Sequence, residues 1–197
     1  MKFYRENSRL VSRLFVNQIG MTIFGLVLTL AVMKAAENNS ALTVAVSAFS
    51  IVFYLCLIYN VMWEEGARNI IRIKAGRLEQ DRFFAIKASF FASVPNLVLA
   101  ALLLISFVLA FPLELAFAKS VYAALHIILG LFEAMYVGLF GMILDLVPEV
   151  ASQSLLACGL YIVSSVPMML VSILAYHFGM KNIYIFGKPA AKKKTEK

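Results

Sequence analysis

Long apolar runs free of formal charge alternate with short polar stretches along most of the chain. Four of these runs predict membrane-spanning helices at about 14–33, 41–63, 88–113 and 154–176. A run of about 20 apolar residues rising 1.5 Å per residue matches a hydrocarbon core of roughly 30 Å. The β-branched and aromatic residues of the second run still predict helix, because an open strand in lipid leaves its backbone unsatisfied. The first run is too long for the apolar core of a signal peptide and no small-residue cleavage pattern follows it, so it is expected to stay attached as the first span. Ahead of it, 1–13 reads as an interfacial lead-in, and Asn17 and Gln18 are expected at headgroup depth. Between the second and third runs, 64–87 reads as a basic cytoplasmic loop containing a short amphipathic surface helix.

The stretch 114–149 breaks the pattern, since Glu114, Lys119, His126, Glu133 and Asp145 interrupt it. Its longest charge-free run, 120–132, is only 13 residues, too short for an ordinary span. It is expected to be a re-entrant hairpin or a pair of short helices, turning near Gly130 or around Gly138 and Gly141. Irregular backbone at membrane depth needs protein or water around it, so this stretch should pack within the other helices. The fold class is therefore all-α: a polytopic transmembrane bundle in one domain, 1–180, with a basic tail, 181–197.

Composition agrees with a bilayer protein: 62% of residues are hydrophobic, 15% are charged and mean hydropathy is +0.86. The net charge of +7 matters through its placement, because the 18 Lys and Arg cluster beside the apolar runs. A single crossing by 114–149 would divide them ten inside against eight outside, whereas its return to the same side divides them sixteen against two. The second division follows the positive-inside bias and predicts both termini in the cytoplasm of a cell-membrane protein. Basic residues dispersed along membrane borders exclude nucleic acid as a partner. They make Arg68, Arg72, Lys74, Arg77, Lys192, Lys193 and Lys194 candidates for anionic lipid.

Candidate chemistry is sparse. His126 and Glu133, with Tyr122 one turn earlier and Asn96 in the Pro95-broken third span, form a candidate ligand or ion site. Ionisable residues at membrane depth are costly and usually face the protein interior or water. Cys56 and Cys158 stand alone in apolar runs and read as packing residues. No third ligand accompanies His126 and Glu133, so no metal is expected, and no phosphate loop, nucleophile elbow or other cofactor signature is present. The Ser93-Val94-Pro95 and Ser165-Val166-Pro167 segments are alike and would run in opposite directions, the pattern of an inverted repeat.

Two resemblances bear on function. Glu64-Glu65-Gly66-Ala67-Arg68, then Tyr122 to His126, then His177 to Asn182 resemble, in order, the motifs of the intramembrane glutamate proteases of prenyl-protein processing. The first is one residue short and the third one residue long, and one residue rotates a helical side chain by about 100°. The activity is therefore not carried over. Trp63, Gly66, Arg68, Asn69, Arg72, Gly76, Arg77 and Asp81, leading into the Ser-Val-Pro span and covering 63–104, resemble a family of small bacterial polytopic membrane proteins. That resemblance implies no particular activity.

The sequence thus predicts a membrane protein without intrinsic catalysis, an accessory or regulatory subunit. Its expected partners are the bilayer and another membrane protein or a second copy of itself. The alternative is a small-solute transporter or its substrate-binding subunit, with Asn96, Tyr122, His126 and Glu133 at the site.

Overall fold

The computed structural model describes residues 2–36, 40–147 and 150–184. These form seven α-helices: α1 (Lys2–Ala36), α2 (Ser40–Lys74), α3 (Phe84–Ala110), α4 (Ala116–Phe132), α5 (Val137–Leu144), α6 (Val150–Val163) and α7 (Ser165–Met180). A single 3₁₀ turn, Ala134–Tyr136, joins α4 to α5, and no strand occurs among the described residues. Four helical stretches are long and apolar enough to cross a membrane: Phe3–Val32, Ala41–Lys74, Phe84–Ala110 and Ser154–Met180. Large apolar side chains such as Ile23, Val52, Ile105 and Leu170 stay exposed on their outer faces, as a lipid solvent requires. The protein is a multi-pass transmembrane helical bundle.

Several boundaries differ from the sequence reading. The lead-in belongs to α1, which bends at Asn7 (φ −116°, ψ 20°), where the Asn7 amide donates to the Phe3 carbonyl at 3.0 Å. The basic stretch after Trp63 is no separate surface helix but the last turns of α2, a helix of 35 residues. At about 52 Å that helix exceeds the bilayer core and projects beyond it. Nothing in Glu64–Lys74 stops a helix, and the Glu64–Arg68 pair at 2.6 Å supports its continuation. Gly76 ends it in the left-handed conformation (φ 68°), with Arg77 N–H donating to the Arg72 carbonyl at 2.9 Å and Gly76 N–H to that of Ile73 at 3.0 Å. The start of α3 is set by Asp81, which accepts from Phe83 N–H at 2.9 Å and from Lys87 at 2.8 Å. That hydrogen bond from Lys87 holds the Asp81 carboxyl below its usual pKa.

The last span is α6 and α7 in sequence, interrupted at Ser164. Pro167 has no N–H for the Val163 carbonyl, which explains the break. The two Ser-Val-Pro segments lie on antiparallel helices and meet, with Ser93 Oγ 3.5 Å from Met168 Sδ. The antiparallel course follows from the Phe84–Tyr176 stack at the other end of the same pair, ring centroids 5.1 Å apart.

The start of α1, the end of α2, the start of α3 and the end of α7 gather at one end of the bundle. Phe3 packs on Phe84 at 5.4 Å, Phe84 on Tyr176 at 5.1 Å, and Arg13 pairs with Glu64 at 3.1 Å. We call this the near end. Here α2 and α7 approach so closely that a Cβ on Gly66 would strike the Tyr176 carbonyl, and one on Gly179 the Trp63 carbonyl.

The intervening stretch is re-entrant. Its start lies at the far end, where Tyr122 meets Phe111, rings 5.5 Å apart, just beyond the end of α3. Helix α4 descends into the bundle, the chain bends by 80° and α5 turns back against the start of α2. The bend falls at Glu133, not at Gly130, Gly138 or Gly141. Gly130 stays inside α4, and Gly138 is used for packing: its N–H donates to Ser47 Oγ at 2.8 Å, and a Cβ there would strike the Thr43 carbonyl.

A polar centre at the tip of the re-entrant segment

The bend is built around one buried carboxyl. Glu133 closes α4, its N–H donating to the Leu129 carbonyl at 2.8 Å, and leaves the helix with φ −108° and ψ 26°. The next bond, Tyr136 N–H to the Glu133 carbonyl at 2.8 Å, begins the 3₁₀ turn. The side chain is 2% exposed and lies between two apolar clusters, one containing Leu129, Leu103 and Tyr161, the other Met135, Tyr54 and Met168.

Each spanning helix fastens this tip with a polar bond. From α1, Thr22 Oγ1 donates to the Phe132 carbonyl at 2.6 Å. Helix α2 receives the Gly138 N–H on Ser47, α3 supplies the Asn96 amide to Glu133 Oε1, and Ser164 Oγ lies 3.1 Å from the same oxygen. Tyr136 OH donates back to the Ser164 carbonyl at 3.2 Å. A buried polar group is tolerated only when bonded in this way.

The centre lies near mid-depth. Thr22 follows Arg13, and Asn96 follows Lys87, by the same interval, roughly 13 Å of helix. Arg13 and Lys87 carry charges paired at the near end, with Glu64 and Asp81. The tip is therefore about halfway through a core of roughly 30 Å.

Of the candidate residues, Asn96 and Glu133 are brought together, although 37 positions separate them. His126 is not. Its ring packs against Tyr122 at 5.9 Å and edge-on to Tyr161 at 5.8 Å, and no hydrogen bond joins it to Glu133. The expected shared helical face fails because α4 ends at Phe132, one residue before Glu133. Tyr122 belongs to the same half-buried aromatic layer, beside Phe107 and Phe111.

Gln18, expected at headgroup depth, is instead buried at 6% exposure and lines a small cavity with Glu133, Tyr54, Ser93, Ser164 and Ser165. The sequence reading missed it because the start of the first charge-free run suggests exposure to headgroups, whereas the lead-in extends α1 below it. Thr22, Ser47 and Tyr136 were missed too, since single hydroxyls in apolar runs carry no positional signal.

Of the basic candidates, Arg68 pairs with Glu64 at 2.6 Å and Arg72 with Glu65 at 3.6 Å, so both are partly neutralised within α2. Lys74 and Arg77 have no ion pair among the described residues. Lys192, Lys193 and Lys194 lie outside the described residues. No group of three or more His, Cys, Asp or Glu side chains converges as metal ligands among the described residues.

Fold and centre together define a class: a multi-pass α-helical membrane protein with a re-entrant segment anchored at mid-depth by a buried carboxyl. Comparison with family models, curated proteins and solved structures found no match to the chain.

Proposed function

We propose that the protein is a non-catalytic accessory or regulatory subunit of a membrane complex, oriented with both termini in the cytoplasm of a cell membrane. The observation that carries this reading is a groove of about 690 Å³ at the far end, between the start of α2 and α5. Ala41, Thr43, Val44, Gly138, Gly141 and Met142 contribute to its lining, and nothing lies within 4 Å of a Cβ placed on Gly141. Small residues that expose backbone are how transmembrane helices admit close neighbours. The Gly138 N–H bond to Ser47 and the close approach of Gly138 to the Thr43 carbonyl hold α5 against α2 to present that surface. The partner is another membrane protein or a second copy of the chain, not nucleic acid. The excess of Lys and Arg at the near end supports the orientation, and Lys74 and Arg77 supply charge for anionic headgroups. The 63–104 pattern supports kinship with small bacterial polytopic membrane proteins.

A photo-cross-linking side chain placed at position 141 in native membranes is expected to capture a second polypeptide of defined size. Adducts with lipid alone would overturn the reading, as would substrate turnover by the purified protein. One observation favours a second reading, a role in small-solute transport: a carboxyl at mid-depth beside a span interrupted next to a proline, here α6 and α7 at Pro167, is an arrangement found in transporter sites.

A further inference from the structure

We propose that the cavity beside Glu133 binds one small monovalent cation of Na⁺ size, with the Glu133 carboxylate as its counter-charge and neutral oxygens completing its shell. The inference goes beyond the accessory reading and does not depend on it.

Donors and acceptors around the bend do not balance. The Asn96 amide donates to Glu133 Oε1. Three of the hydroxyls nearby face main-chain carbonyls: Ser93 donates to Ser89 at 3.0 Å, Ser165 to Ile162 at 2.8 Å and Tyr136 to Ser164 at 3.2 Å, while Tyr54 also lines the cavity. The single Ser164 hydroxyl proton is contested between the Tyr161 carbonyl at 2.8 Å and Glu133 Oε1 at 3.1 Å. Three buried acceptor oxygens are left with no donor: Glu133 Oε2, Asn96 Oδ1 and Gln18 Oε1. Among the described residues, no Lys, Arg or His pairs with Glu133. Buried acceptors in excess of donors call for a donor or a positive charge, and a buried carboxylate without a counter-ion favours the charge.

Size and ligand type narrow the choice. Glu133 and Gln18 both line the cavity, in which about 10 Å³ is open to the centre of a water-sized sphere, room for one water or one ion stripped of its shell. All the unmatched atoms are oxygens, which suit a hard cation. One carboxylate neutralises one positive charge, so a divalent ion would leave net charge at mid-depth, where it is most costly.

The test is thermal unfolding of the full-length protein in nanodiscs, at fixed pH and ionic strength, with NaCl exchanged for choline chloride. The unfolding midpoint is expected to rise saturably with Na⁺, by several degrees, and less with K⁺. In Glu133→Gln the Na⁺-dependent rise is expected to vanish. Gln18→Leu keeps the counter-charge and is expected to raise the half-saturating Na⁺ concentration about tenfold, which keeps the test informative if Glu133→Gln does not fold. Equal midpoints in Na⁺ and choline for the unsubstituted protein would overturn the proposal. So would a full Na⁺ response in Glu133→Gln, or an unchanged half-saturating concentration in Gln18→Leu. A midpoint that follows pH but not Na⁺ would assign the cavity to a proton and overturn it equally.

Discussion

Glu133 stays at mid-depth because Asn96 and Ser164 offset the cost of burying it, so its partners should matter more than its neighbours. Asn96→Ala removes the amide donor and leaves Oε1 with a shared hydroxyl. The expected loss is about 1–3 kcal/mol, the usual cost of an unmet buried acceptor. His126→Ala and Tyr122→Phe alter a half-buried ring layer that does not touch the carboxyl, and each is expected to cost about 1 kcal/mol or less. Unfolding of the three variants in one detergent, compared at equal denaturant, checks the order. A larger loss for His126→Ala would place the centre elsewhere. Asn96 and Glu133 were visible in the sequence as polar residues in apolar surroundings. Their pairing was not, because periodicity along one helix carries no information about a contact made across 37 residues. Gln18 shows the same gap from the other side: its depth is set by how far α1 extends below it, and Arg13 alone could not indicate that.

At the scale of elements, the α2–α7 contact is set by two glycines. Gly179→Ala places a methyl group against the Trp63 carbonyl, and Gly66→Ala against that of Tyr176. Each is expected to force the helices apart at a cost toward the upper end of roughly 1–3 kcal/mol. Gly159, on the outer side of α6 with nothing within 4 Å of its Cβ position, is the control. Gly159→Ala should stabilise by about 0.5–1 kcal/mol through helix propensity, an opposite sign readable by thermal unfolding. The start of α3 makes a pH prediction. Lys87 depresses the Asp81 pKa in the folded chain, so this contact stabilises above the unfolded carboxyl value near 3.8 and is lost as pH falls through the lower folded value. The difference in melting temperature between the unsubstituted protein and Asp81→Asn should accordingly be constant near neutral pH and shrink below about pH 4. Of the elements themselves, the four spans were legible because a span is a local property: enough consecutive apolar residues must form helix in lipid. The continuation of α2 past Trp63 was not, since polar residues mark the end of the membrane and not the end of the helix.

For the whole molecule, the re-entrant course makes a prediction that charge counting cannot supply residue by residue. In a cysteine-free background, single cysteines at Leu113 and Leu146, exposed at the two mouths of the re-entrant segment, should react with a membrane-impermeant thiol reagent from the same side. Single cysteines at Leu78 and Ile183, exposed at the near end, should react from the opposite side. Labelling of Leu113→Cys and Leu146→Cys from opposite sides would mean that 114–149 crosses the membrane. The sequence alone determined the helical class, the four spans and the need for the interrupted stretch to return. All three follow from counting apolar residues and charges along one dimension. The tertiary structure decided where that stretch bends, which side chains receive it and that His126 stands apart from Glu133. Those outcomes depend on how far α1 and α2 extend and on where Pro167 interrupts the last span; α3, expected to break at Pro95, runs through it unbroken. Only the packed helices bring Thr22, Asn96 and Ser164 to a common depth around the bend and set Ser47 against α5 beyond it.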